Sequence, residues 1–188
     1  MMWLKHTGVV PAVLPIQRQF GPYVPVSVTI GYSAYDPPLY WRLDDPKFNL
    51  VEIGIDRRGG HFVSLTVVFC KETSQTLSRA ENAPAGGDAD GLPVFSLEPW
   101  AAAFDPERDV YDTRAEFYDV PGRCRIEKDA DAVRVVLSSD AIQHRVITHG
   151  ELVSEFNSSG ELCAISLLKL SPQEKKMLEE SLMGAGAH

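Results

Sequence analysis

The sequence predicts an α+β protein: predominantly antiparallel β-sheet, built from two related hairpin-containing halves and closed by a C-terminal α-helix. Three observations lead there. Gly60–Val68 (GHFVSLTVV) and Gly160–Leu168 (GELCAISLL) match at an offset of 100 residues, pairing Phe62 with Leu162, Val63 with Cys163, Leu65 with Ile165 and Thr66 with Ser166. Each glycine follows a turn-forming cluster, Asp56-Arg57-Arg58-Gly59 or Asn157-Ser158-Ser159, and an apolar run, Leu50–Ile55 or Leu152–Phe156. Asn, Asp, Ser and Gly tolerate the backbone angles of hairpin turns, so each copy reads as strand, turn, strand. Third, strand-turn-strand units recur at short spacing with few helical patterns between them, which excludes a doubly wound parallel sheet.

Taken in order, Trp3–Tyr23 is apolar and interrupted by Pro11, Pro15 and Pro22, and reads as an extended arm laid along a sheet edge, where proline is tolerated. Val24–Tyr32 alternates apolar with polar residues, the pattern of a half-buried strand. A loop through Asp36-Pro37-Pro38 precedes a short strand at Leu39–Leu43, the turn Asp44-Asp45-Pro46 and the first hairpin, Asn49–Lys71. Ser78–Pro93 holds little but small and polar residues and cannot bury enough apolar surface to offset the entropy of ordering it. It divides the chain into an N-terminal half (1–77), a linker (78–93) and a C-terminal half (94–188). Leu97–Phe104 suits a short helix with Pro99 in its first turn. Strands are expected at Arg123–Glu127, Ala132–Leu137, Gln143–Thr148, Glu151–Phe156 and Glu161–Leu170. Ser171-Pro172-Gln173-Glu174 is a capping box, so a helix should run from Pro172 to about Met183 and stop at Gly184.

The chain has 188 residues, 44% of them hydrophobic and 23% charged, which suits one soluble domain or two small ones. No run approaches the ~20 apolar residues that span a bilayer. Pro11 and Pro15 break the weakly apolar N-terminus, so the expectation is a cytoplasmic protein rather than a secreted one. Cys70, Cys124 and Cys163 lack paired metal spacing, and the odd count suits buried thiols in a reducing compartment. None of the five histidines stands in a zinc-site pattern. There is no nucleophile elbow and no phosphate-binding glycine loop. Neither a cofactor nor a bound metal is expected.

Charge is the more informative quantity. The net charge is −8, and residues 76–131 alone hold 6 basic and 13 acidic residues. Such a chain is repelled by nucleic acid and drawn to basic surfaces. The acids culminate in Asp105–Asp119 (DPERDVYDTRAEFYD), which lacks the glycine at the sixth position of a calcium loop. Aromatic residues stand among the carboxylates, an arrangement that suits a contact surface: rings anchor and charges steer. Asp105, Glu107, Asp109, Asp112 and Glu116 are the candidate charge partners, with Tyr111 and Tyr118 as anchors.

In size, acidity and β-rich texture, and in the hairpin Phe156–Ile165 (FNSSGELCAI), the chain resembles the immunity proteins that bacteria make against their own toxins. The resemblance implies a non-enzymatic inhibitor that sequesters a basic toxin or effector domain, with no nucleic acid and no membrane as partner. Two other classes stay open: an enzyme whose groups converge from distant positions such as Asp112, His144 and His149, and a small-ligand module lined by Trp3, Trp41 and Trp100.

Overall fold

A computed structural model describes residues 2–31, 37–74, 89–104, 113–138 and 145–184. The strands of the first half are β1 (His6–Val10), β2 (Ile16–Gln19), β3 (Val26–Ile30), β4 (Leu39–Asp45), β5 (Asn49–Ile55), β6 (Phe62–Cys70) and the two-residue β7 (Thr73–Ser74). After them come β8 (Ala89–Asp90), β9 (Leu92–Phe95), a 3-10 segment at Glu98–Phe104, a 3-10 turn at Thr113–Glu116 and β10 (Phe117–Pro121). The chain ends with β11 (Arg125–Lys128), β12 (Val133–Val136), β13 (Arg145–His149), β14 (Leu152–Phe156), β15 (Leu162–Leu167) and α1 (Pro172–Gly184). The α+β class and its mostly antiparallel character are as the sequence predicts.

Two large sheets carry the fold. The first has the order β10-β4-β5-β6-β3-β2 and the second β7-β11-β12-β15-β14-β13-β8. Within them, β2-β3-β6-β5-β4 and β11-β12-β15-β14-β13 are five-stranded units of the same connectivity, with every neighbouring pair antiparallel. The β5–β6 and β14–β15 hairpins occupy equivalent places. Their turns are equivalent too. Asp56 N donates to His61 O and Asn157 N to Glu161 O, and the side-chain oxygens Asp56 Oδ1 and Asn157 Oδ1 each accept backbone N–H groups inside the turn. Gly60 and Gly160 close the turns at φ +70° and +76°, backbone that a side chain resists. The first turn is longer by the one residue that separates the two sequence matches.

A two-stranded ribbon, β1 with β9, joins these two hairpin tips. Phe95 N donates to Gly60 O and His6 N to Gly160 O, both at 2.8 Å, while Leu162 N reaches Leu4 O at 2.9 Å. The N-terminal arm is thus β-paired at both its strands: β1 lies in the ribbon and β2 is an edge of the first sheet, the position its prolines favour. Parallel pairing occurs at three sheet edges, β10 on β4, β7 on β11 and β8 on β13. Such pairs join segments far apart in sequence, which local patterns do not reveal. Of the expected linker 78–93, residues 78–88 lie outside the described residues; Ala89–Asp90 and Leu92–Pro93 are paired strand.

Alternation along the first sheet sends Val26, Val28, Leu39, Trp41, Leu43, Val51, Ile53, Leu65 and Val67 inward, each fully buried. They share a single apolar core with Ile126, Val133, Val135, Ile147, Leu152, Phe156, Ile165 and Leu167 of the second sheet. At ~25 cal/mol per Å² of apolar surface withdrawn from water, this burial is the main force holding the two sheets together. The strands β12, β14 and β15 are buried on both faces, unlike β3 and β4. The capping box forms as expected: Glu174 N donates to Ser171 Oγ (3.2 Å) and Ser171 N to Glu174 Oε2 (2.7 Å). Arg18 of β2 then holds Glu174, at 3.1 Å, and Leu178 inserts into the core.

Candidate functional site

Of the residues expected to meet a partner, Asp105, Glu107, Asp109, Tyr111 and Asp112 lie outside the described residues. Glu116 and Tyr118 are described, and both are engaged within the chain. Glu116 closes the 3-10 turn Thr113–Glu116 and accepts from Arg57 at the tip of the β5–β6 hairpin. Arg57 also donates to Pro37 O at 3.4 Å, so an arginine of the turn cluster Asp56-Arg57-Arg58-Gly59 is a brace. Tyr118 accepts a hydrogen bond from Met2 N at its hydroxyl (3.1 Å) and sets its ring edge-on to Trp100, 6.4 Å between centroids.

The next residues fasten the acidic segment to the first sheet. β10 adds to β4 in parallel, with Phe117 beside Tyr40 and Asp119 beside Arg42. Arg42 takes Asp119 in a two-pronged pair (2.6 and 3.1 Å) and stacks over the Phe117 ring at 4.3 Å. Phe117 and Tyr40 stack at 5.4 Å. Burial, with Glu52 and Glu116 nearby, pushes the Tyr40 phenol above its ordinary range. Asp119 remains 59% exposed at its side chain, so this arginine pair leaves an open carboxylate face at the segment's end. The C-terminal end of the acidic run is therefore held on the sheet edge by Arg57 and Arg42.

A second constellation lies on a buried face of the second sheet, and the sequence reading did not single it out. Arg134 of β12 grips Glu155 of β14 through Nε (2.9 Å) and Nη2 (2.8 Å), and Glu127 of β11 through Nη1 (2.8 Å). Arg125 Nε donates to the other Glu127 oxygen at 2.8 Å, and Ser166 Oγ to Glu155 at 3.2 Å. Burial opposes the Arg134 charge, yet the bonds to Glu155 and Glu127 outweigh it and hold the guanidinium above its usual range. Strand alternation places all of these on one face: 125 and 127, 134, 155 and 166 are cross-strand neighbours. A signal was present in the sequence, since charged residues inside apolar strands are seldom buried unless paired. With its carboxylates already bound, the network is suited to fixing strand register rather than to proton transfer.

In front of Arg125 opens a cleft of about 560 Å³, bordered by Trp3, Glu72, Arg123, Cys124, Asn157 and Glu161 among others. Arg123 bridges Asp45 and Glu72 (3.3 and 3.4 Å) and lies over Phe48 at 3.5 Å. Of the three tryptophans weighed as a ligand cage, only Trp3 borders this cleft. Trp41 and Trp100 are core residues, 0% and 1% exposed, their ring nitrogens donating to Met2 O and Tyr40 O.

The described histidines do not converge. His149 is buried and its Nε2 meets Leu14 O at 2.8 Å. His144 and Asp112 lie outside the described residues. His61 Nδ1 is 3.7 Å from Asp56 within its own turn. His6 packs on Phe156 and is held below its ordinary pKa by burial and by Arg145. Among the described residues no three His, Cys, Asp or Glu side chains gather as a metal site, and no helix is long and apolar enough to cross a membrane. No protein-family model matches the chain, and comparison with curated proteins finds none of significant similarity.

Proposed function

We propose that the chain is a non-enzymatic binding protein of the immunity type, cytoplasmic, which sequesters a basic toxin or effector domain through the acidic segment Asp105–Asp119. One observation carries the reading: residues 76–131 hold 13 acidic residues against 6 basic, more than twofold, in a chain otherwise near neutrality. The bracing of Glu116 by Arg57 and of Asp119 by Arg42 offsets the charge of those two carboxylates, but it fastens one end of the segment, which then loses less freedom on binding. In this reading Glu116 and Tyr118 fix the segment, while Asp105, Glu107, Asp109 and Asp112 steer the partner and Tyr111 anchors it. The common connectivity of the two five-stranded units favours an origin of the two halves by duplication, leaving the acidic insertion as the part that differs between them.

The cleft beside Trp3 and Arg125 favours a second reading, a small-ligand module, since it combines an aromatic wall with guanidinium groups. Capture on immobilised protein separates the two. With the chain as bait, the partner should elute at moderate salt and should bind more weakly when Asp105, Glu107, Asp109 and Asp112 are changed together to their amides. Retention indifferent both to salt and to those four changes would contradict the docking segment.

A further inference from the structure

Cys70 ends β6 in the first sheet, and Cys124 stands just ahead of β11 in the second. Their sulfurs are 3.4 Å apart, with Cys124 Sγ–H directed at Cys70 Sγ. Both residues are buried, 1% and 2% exposed. The approach is built rather than incidental. Asn49, fully buried, donates through Nδ2 to Leu43 O (3.1 Å) and Gly122 O (3.2 Å), and its Oδ1 accepts from Cys124 N (3.0 Å), which fixes the backbone carrying Cys124. Cys70 Sγ faces the carbonyls of Glu72 (3.4 Å) and Cys124 (3.5 Å). Of the two, Cys124 borders the 560 Å³ cleft, which brings a small reagent within one sulfur–sulfur contact of Cys70. Cys163 differs: its thiol donates to Glu161 O, two residues back, at 3.3 Å, and burial pushes it up to about 11.

We propose that Cys70 and Cys124 form a redox-active dithiol, oxidised by a small peroxide entering through the cleft to a disulfide that ties the end of the first sheet to the start of the second. The hydrogen bond from Cys124 lowers the Cys70 pKa and raises that of Cys124, so Cys70 is the sulfur that ionises. The Cys70 thiolate attacks one oxygen of hydrogen peroxide; the S–O bond forms, the O–O bond breaks, and hydroxide leaves and takes a proton to become water. Cys124 sulfur then attacks the Cys70 sulfenic acid; the S–S bond forms, the S–O bond breaks, and a second water departs with the Cys124 proton. Two thiols and one peroxide give one disulfide and two waters. Forming the bond brings the sulfurs from 3.4 Å to about 2.05 Å.

The test treats fully reduced protein with hydrogen peroxide and reads intact mass, thiols titrated in denaturant and a non-reducing peptide map. The proposal expects a mass loss of two hydrogens, a fall from three titratable thiols to one, and a linked peptide pair containing Cys70 and Cys124, all reversed by dithiol reductant. Cys163→Ser should behave the same way, ending with no titratable thiol. Mass gained in oxygen increments without a cross-link, three thiols persisting, or a link that involves Cys163 would each overturn it.

Discussion

Replacing Arg134 by methionine removes the one cation that two buried carboxylates share. Glu155, 5% exposed, would lose both guanidinium bonds and, among the described residues, keep Ser166 Oγ, whereas Glu127 retains Arg125. Breaking a buried ion pair by deleting one partner costs about 3–5 kcal/mol, because the remaining charge stays desolvated. That is a large share of the ~5–15 kcal/mol that ordinarily separates folded from unfolded chains. Urea denaturation at pH 7 should therefore show Arg134→Met losing about 3–5 kcal/mol relative to the natural chain. A bare buried carboxylate has its folded pKa raised, so the penalty falls on its charged form and disappears once it is protonated. The deficit should accordingly shrink as pH is lowered toward 4–5. Changing Glu155 to leucine in the same chain should restore much of the loss at pH 7. A deficit below about 1 kcal/mol, or one that does not narrow in acid, would refute the assignment of a desolvated, mutually dependent network.

The two turn glycines should respond unequally to alanine. A Cβ at Gly60 would come within 2.7 Å of Phe95 O, but one at Gly160 meets nothing nearer than His6 O at 3.8 Å. Thermal unfolding should show Gly160→Ala losing about 1–2 kcal/mol from its left-handed backbone alone, and Gly60→Ala losing clearly more. Ser171→Ala should cost about 1 kcal/mol by removing the cap of α1, measured by urea titration. His6 has its folded pKa held below the ordinary 6.5, so the unfolded chain binds the proton first. Its contribution is complete above pH 6.5 and is lost as pH falls through the lower folded value. A His6→Gln variant should show a flatter stability profile below pH 6.5 than the natural chain.

What could be read from the residues was whatever is local. The hairpins around Gly60 and Gly160 and the capped helix at Ser171 each announce themselves within a dozen residues, and each is present at its expected place. The pairing of β10 with β4 was hidden, because a parallel partner 77 positions away leaves no mark on either strand. The contact of His149 with Leu14 was hidden for a related reason, since its partner stands 135 positions away in the N-terminal arm. The brace made by Arg57 was hidden in the same way, because its partner, Glu116, is 59 positions along. The network of Glu127, Arg134 and Glu155 was within reach, had charges inside strongly apolar strands been taken as a demand for partners.

The docking account is tested most directly by the association rate of the captured partner, measured at about 50 and about 500 mM NaCl. Electrostatic steering by Asp105, Glu107, Asp109 and Asp112 predicts a fall of about tenfold or more across that range for the natural chain, with little change for the variant carrying amides at all four positions. Equal rates for the two proteins at low salt would contradict it.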